Sequence, residues 1–328
     1  MSHDTSNTTA FIEAQQYSKF IIENLNDGLL PEGFSRDVSD FSEGTTLNIK
    51  TVGSATIQDV AEGVPMTFNA IDTGNVTLSI TDYIGDAWFV SDELREDGSQ
   101  VAQLSAARAM EGTRAIQENV ETKFLSACDA AQTKTGNVNL VNGRPHRWVA
   151  GGAAATDRIF DMSDLVALKL SFDKANVPQE GRILLVDPVV EATLNSLTNL
   201  VNVSNNPMFE GIVTEGFARN HKFIRNIFGF DIWTSNRLPT LTGTEALDAS
   251  GYGLANDTAE VGDIVNIAMC VADDNCRPMM RAWRRNPKTE GWRDHENRQD
   301  KFQNSARFGF GAQRVDTLAT IITHPSNY

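Results

Sequence analysis

Hydrophobic and polar positions change rhythm several times along this chain, and each change predicts an element. Within residues 13–26, Tyr17, Phe20, Ile21 and Leu25 recur at three- and four-residue steps, which predicts a short amphipathic helix in an otherwise polar N-terminal arm. Pro31 and Gly33 interrupt it. From Thr45 the period becomes two: Leu47, Ile49 and Thr51 oppose Thr46, Asn48 and Lys50, and Val76, Leu78 and Ile80 alternate with Thr77, Ser79 and Thr81. The stretch between them is Gly-rich and broken by Pro65, so two long strands joined by a broad loop are expected from Thr45 to about Ile84. A hairpin placed so far ahead of any compact core has little in its own chain to pack against. Completion by a neighbouring subunit is the expectation, with folding back onto its own domain as the alternative.

The rhythm then becomes helical from about Ser91 to Ala131. Ser91 or Asp92 can cap the start, and Asp92, Glu93, Glu96 and Asp97 suit the positive end of the helix dipole. Gly98 is a point of interruption. Leu104, Ala107, Met110, Ile116, Val120, Phe124 and Ala127 share a face, and a helix of about 30 residues is ~45 Å long, a spine for the molecule. Residues 132–156 are turn-rich and mark a boundary. A helix over 161–175 behind Asp161 or Ser163, a strand at Arg182–Val186, and a helix over 188–197 opened by Pro188 follow. A strand-like run at 221–239, a Gly/Asp loop at 242–262, a strand at Ile264–Val271 and a strand-rich tail close the chain. Strands and helices mix without a regular βαβ repeat, so the fold class is α+β.

Composition sharpens this picture only through charge and cysteine. The net charge of −15 is uneven: residues 1–140 hold 21 acids and 8 bases, while 277–314 carries 10 bases against 4 acids. An acidic chain is a poor match for tight nucleic-acid binding. The acidic front and basic tail can instead attract one another between copies, or simply keep the surface solvated. The three cysteines cannot all pair within the chain and read as buried, reduced thiols of a protein that folds in a cytosol. No run approaches the ~18 apolar residues of a membrane span, so no membrane partner is expected, and no secretory signal is visible at the N-terminus.

Catalytic motifs are missing. There is no P-loop and no nucleophile elbow, Cys270 and Cys276 are too far apart in sequence for a zinc knuckle, and His295-Glu296 lacks the second histidine of a zinc-protease helix. The Phe-Gly-Phe-Gly run at 308–311 has too few glycines for a dinucleotide fingerprint and predicts a bulge or a close approach of another backbone. No enzyme activity, cofactor or metal is expected.

The order of arm, hairpin, spine helix, mixed domain and strand-rich C-terminus resembles the major capsid proteins of tailed bacteriophages, with the coat-protein fold first recognised in phage HK97. FGFDIWTSNRLP (228–239) resembles the G-F-x-[IV]-x-x-S-N-x-L-P strand and turn of their central domain, and RFGFGAQRVDTLATIITHP (307–325) resembles their closing segment. The resemblance covers about residues 10–325. It implies an arm at 1–44, an extended hairpin at 45–90, a peripheral domain split between 91–154 and 271–328, and an axial domain at 155–270. It also implies assembly with itself as pentamers and hexamers around double-stranded DNA, held only by non-specific contact. A separate scaffolding protein, a portal protein and an optional decoration protein are the implied partners. The implied location is the virion capsid, assembled in the host bacterial cytoplasm. An encapsulin-like compartment or a soluble enzyme without a motif are the alternatives. Leu47, Ile49, Val76, Leu78 and Ile80 on the hairpin, with Arg281, Arg284 and Arg285 in the tail, are the expected contacts between subunits.

Overall fold

The fold was analysed in a computed structural model, which describes residues 33–39, 44–53, 57–60, 62–63, 68, 70–71, 73–97, 101–134, 138–151, 157–196 and 226–326. The helix expected over 13–26 and the first part of the 221–239 run lie outside these residues.

In chain order, the strands and helices begin with β1 (Ser35–Asp37), β2 (Thr46–Val52), β3 (Thr73–Ser79) and β4 (Asp82–Ser91). Helices α1 (Asp92–Asp97) and α2 (Val101–Ala130) follow, then the short strands β5 (Leu140–Val141), β6 (Arg144–Pro145) and β7 (Arg147–Val149). Helix α3 (Met162–Lys174), β8 (Arg182–Val186) and α4 (Pro188–Ser196) come next. The remainder is all strand apart from single turns: β9 (Asn226–Ile227), β10 (Phe230–Thr234), β11 (Glu245–Asp248), β12 (Asn256–Ala259), β13 (Ile264–Cys270), β14 (Met279–Asp294), β15 (Gln299–Ala312) and β16 (Leu318–Thr323).

Two sheets organise the molecule. A six-stranded sheet runs β7-β16-β13-β8-β10-β9, and a four-stranded sheet runs β1-β14-β15-β4. The Arg-Ile-Leu-Leu-Val run of β8 is buried throughout because the six-stranded sheet is covered on both faces. Leu184 and Val186 pack with Leu165, Leu168 and Phe172 of α3. Ile183 and Leu185 point the other way, into Phe124, Leu125 and Cys128 near the end of α2. The spine helix therefore joins the sheets: its last turns lie on one and its middle, at Ile116 and Val120, lies on the other.

Three sequence expectations are made specific. The stretch expected to be helical from Ser91, with Gly98 as its point of interruption, is helical over α1 and α2, and Ser91, the last residue of β4, accepts from Leu94 N at 3.3 Å as its cap. Residues 82–91 form an independent ten-residue strand against β15, favoured by alternating Ile84, Trp88 and Val90, where the sequence was read as the end of a hairpin. The closing apolar strand, β16, pairs with β13 and β7 in the six-stranded sheet. Within the tail, β14 and β15 form a long ribbon. Pro287 sits on β14, where the register shifts between Arg285 and Lys288, at a bulge that needs no ladder donor.

A buried ion cluster locks these parts. Arg147 has no solvent exposure, and its guanidinium donates to Glu245 at 2.8 and 3.0 Å, to Asp129 at 3.0 Å and to the Thr320 hydroxyl at 3.0 Å. Those partners lie on β11, the end of α2 and β16. Replacing Arg147 with Met leaves the buried Glu245 carboxylate without its cation and Asp129 with Lys134 alone, and is expected to cost about 3–5 kcal/mol in chemical denaturation of the unassembled chain. Lysine, which cannot reproduce the fork, is expected to recover only part.

At the start of α3, Asp164 closes a capping box with Asp161 and accepts bonds from Trp148 Nε1 and Gly151 N, each at 3.0 Å. Burial outweighs those donors and lifts its pKa from the ordinary 3.8 to about 6. The folded state thus binds the proton more tightly than the unfolded one. Stability from this group is greatest below about pH 4 and falls as pH rises to about 6, by about 3 kcal/mol in all. Asp164→Asn should flatten that part of the stability–pH curve; an unchanged slope in the variant counts against the assignment.

Candidate functional site

The hairpin, the ribbon and the spine helix meet at β15, whose Phe-Gly-Phe-Gly alternation gives it two different faces. Phe308 and Phe310 point to α2. Phe308 packs with Ile116 and Val120, and ring centroids lie 5.4 Å apart for Phe124–Phe310, 5.1 Å for Trp283–Phe308 and 5.5 Å for Phe308–Phe310. Gly309 and Gly311 face the other way, and β3 lies directly on them. A Cβ at 309 would run into the Ser79 carbonyl and come within 2.8 Å of Ile80 Cα, and one at 311 would come within 2.8 Å of Leu78 Cδ1. The close backbone approach expected of this run is what its glycines permit.

Leu78 and Ile80 are buried in this seat beside Met280 and Ala282, with Leu47, Ile49 and Val76 partly buried around them. The expectation that the hairpin lacks packing partners in its own chain is therefore corrected at its base, because the missing glycine side chains let it dock. Further out no described residue covers it. The strands keep antiparallel register from Thr46↔Ser79 to Val52↔Thr73, and beyond them Ile57 is 93%, Phe68 97% and Ile71 79% exposed. Between Lys50 and Arg95 there is no basic residue, so the projecting segment is apolar and acidic. An uncovered apolar tip on a tethered arm is the mark of a protein–protein contact.

The basic tail is used mostly inside the chain. Arg293 pairs with Asp92 and, at 3.1 Å, with Asp300; Lys301 reaches Asp294 at 2.6 Å; Arg285 and Lys288 share Glu290 at 2.7 and 3.0 Å. Arg281 lies 3.5 Å from Asp37, which fastens the end of the N-terminal arm to β14. Hydrogen bonds from Lys301 and Asn297 hold the Asp294 carboxyl well below its usual range. The attraction between acidic front and basic tail, expected between copies, thus operates within one chain at Asp37 and Asp92. Of the expected contact residues, Arg281 and Arg285 are half-buried and Arg284 is exposed on the ribbon.

The Ser-Asn-Arg-Leu-Pro turn also gains a physical reading. Ser235 Oγ donates to Glu121 at 2.9 Å, Arg237 reaches Glu121 at 2.7 Å and Glu118 at 2.9 Å, and Leu238 enters the core beside Phe124. The turn clips the six-stranded sheet to the spine helix. Sequence reading missed this role, since nothing local indicates which carboxylates the turn meets.

Among the described residues no group of His, Cys, Asp and Glu is arranged to hold a metal, and no helix is long and apolar enough to cross a membrane. Cys128 and Cys270 are buried and Cys276 half-buried, all as free thiols; burial pushes the Cys270 thiol up.

A projecting hairpin seated on a ribbon, a spine helix and a mixed sheet domain together define an HK97-like coat-protein fold. The chain belongs to the phage capsid protein family, whose model matches residues 56–322. Solved structures agree on the fold. The capsid structure of the cyanophage P-SCSP1u is 19% identical, covers 91% of this chain and 89% of its own, and superposes with a TM-score of 0.63. The mature capsid of bacteriophage PhiM1 is 16% identical over 90% and 86%, with a TM-score of 0.64, and a structure from Mycobacterium phage Che8 is 18% identical over 85% of each chain, with a TM-score of 0.53. None of the curated proteins matches this chain. The protein is a structural subunit of a capsid shell, and its place is the virion capsid.

Gly309→Val should unseat the hairpin while leaving the aromatic cluster beneath α2 in place, at a cost of about 1–3 kcal/mol. Hydrogen exchange is expected to accelerate across residues 46–52 and 73–79 and to stay slow in β13 and β16. Loss of protection throughout the molecule instead points to a general folding defect.

Proposed function

We propose that this chain assembles as pentamers and hexamers into an icosahedral shell around a double-stranded DNA genome. The observation that carries the reading is the hairpin: it is anchored by glycines at its base, and its apolar tip is covered by no described residue. A ring of identical subunits needs a heterologous contact, in which one patch meets a different patch on the next copy, and a projecting arm supplies one half of such a contact. The hairpin strands bearing Leu47, Ile49 and Val76 lie along the subunit boundary, and the acidic tip, with Asp59 and Glu62, meets the exposed Arg284 and its neighbour Arg285 on the next ribbon. The peripheral unit is the spine helix with the ribbon, and the axial unit is built around α3, α4 and β8–β13.

The acidic balance of the chain suits a container. A wall of the same sign as DNA does not hold it, so the genome can slide as it is packed. Such a shell takes a separate scaffolding protein during assembly in the host cytoplasm, a portal at one vertex and, optionally, a decoration protein on its surface.

Negative-stain microscopy of the purified chain, with and without a co-expressed scaffolding protein, tests this reading. Closed shells or rings are the expected result, and a strictly monomeric protein under every assembly condition overturns it. Charge reversal at Arg284 and Arg285 together is expected to reduce particle yield about tenfold or more, while the unfolding midpoint of the free chain moves little. Unchanged yield removes these residues from the interface.

A further inference from the structure

The four-stranded sheet ends in β4, and the outer edge of β4 makes no backbone hydrogen bond to any other described strand. The opposite edge is guarded. On β14, β1 covers residues 279–281, and Pro287, two register shifts and the cations Arg284, Arg285 and Lys288 disrupt the rest. Such features prevent another strand from adding. β4 has none of them. Its ten residues, DYIGDAWFVS, contain no proline, lysine or arginine, and they pair one-to-one with β15 from Asp82 to Ser91 without a bulge.

The side chains of β4 are also incompletely packed on both faces. Tyr83 is 59% and Phe89 62% exposed on one, and Ile84 and Trp88 are only half-buried on the other. Their order is self-complementary. If two copies of β4 run antiparallel about an axis through Asp86, Tyr83 lies opposite Phe89 of the second copy, Ile84 opposite its Trp88 and Gly85 opposite its Ala87. From Tyr83 to Phe89 each aromatic or apolar side chain meets another, the pairing that favours sheets, and only at the two ends does Val90 fall opposite Asp82. The two Asp86 carboxylates that meet on the axis are not bare charges, because Arg108 lies 2.6 Å from Asp86 in each copy.

We propose that β4 is an isologous docking edge. Two copies of this chain join β4 to β4 about a local two-fold axis at Asp86, forming one continuous sheet with four strands from each. The inference rests on the shell reading and goes beyond it. The hairpin is an arm-to-patch contact, which closes rings. Rings must then be fastened to other rings, and a self-complementary edge does that with a single patch.

Cysteine crosslinking tests the register. In a Y83C/F89C double variant the two positions of one copy are about 20 Å apart along the strand and cannot bridge internally, whereas across the axis each faces its counterpart at a Cβ spacing near 5 Å. Mild oxidation of assembled particles should give covalent dimers and nothing larger, with neither single variant nor the parent bridging at these sites. Intact particles without bridges overturn the pairing while leaving the shell reading in place. A ladder of trimers and higher species also overturns it, since that marks a head-to-tail contact such as a hairpin strand added to this edge. A parent chain that never forms particles overturns the shell reading, and this pairing with it.

A charge swap separates pairing from folding. Y83K/F89K sets like charges opposite each other twice per contact, and closed shells should fall about tenfold or more while rings persist. Y83K/F89E sets opposite charges there and should restore them, although both variants alter the same exposed positions. Equal shell yields from the two overturn the proposal.

Discussion

Two side chains' worth of empty space on β15 support much of this architecture. Phenylalanine and glycine alternate over residues 308–311, so one strand presents a filled face to the spine helix and a bare face to the hairpin. The filled face fixes the ribbon to α2, where Phe310 meets Phe124 edge-on and Phe308 packs on Ile116 and Val120. The bare face lets a second backbone come close enough to bury Leu78 and Ile80. An isolated two-stranded hairpin is marginal in water. This one is held at its root, and beyond it Ile57, Phe68 and Ile71 stay exposed among the described residues.

Electrostatics plays a different part from the one its distribution along the chain indicates. A strongly acidic front and a basic tail look like complementary surfaces of two molecules. Folding brings the two into one chain, because β14 lies beside β1 and the turn of the ribbon lies beside α1. The pairs are mostly part-exposed and worth little singly. Their combined effect is to tie β1 and α1 to the ribbon. The costly electrostatics is buried elsewhere, in the Arg147 cluster, where three separated segments are held to one guanidinium.

These features divide the molecule into a rigid body and its attachments. The six-stranded sheet, covered on both faces and clipped to α2 by Ser235 and Arg237, forms the body. The hairpin and the two edges of the four-stranded sheet lie outside that body. One edge is guarded by proline, bulges and charge, while the other is regular and bare. A subunit that must associate with copies of itself in limited ways needs both kinds of edge.

Local pattern in the sequence was enough to determine the elements whose physics is local. The Asp161 cap and the helix behind it, the strand Arg182–Val186, the helix opened by Pro188 and the alternation of both hairpin strands all follow from spacing and side-chain type. So does the close approach at the Phe-Gly-Phe-Gly run, since only a neighbouring backbone gives strand glycines a use. Which backbone approaches was settled by the tertiary structure, across more than two hundred residues of separation. Chain separation also hid the partners of the Ser-Asn-Arg-Leu-Pro turn and of Arg147, the placing of β16 in the six-stranded sheet, and the pairing of the tail's arginines with acids of the front half. Each depends on which segments become neighbours in the fold, and periodicity along a chain carries no record of that.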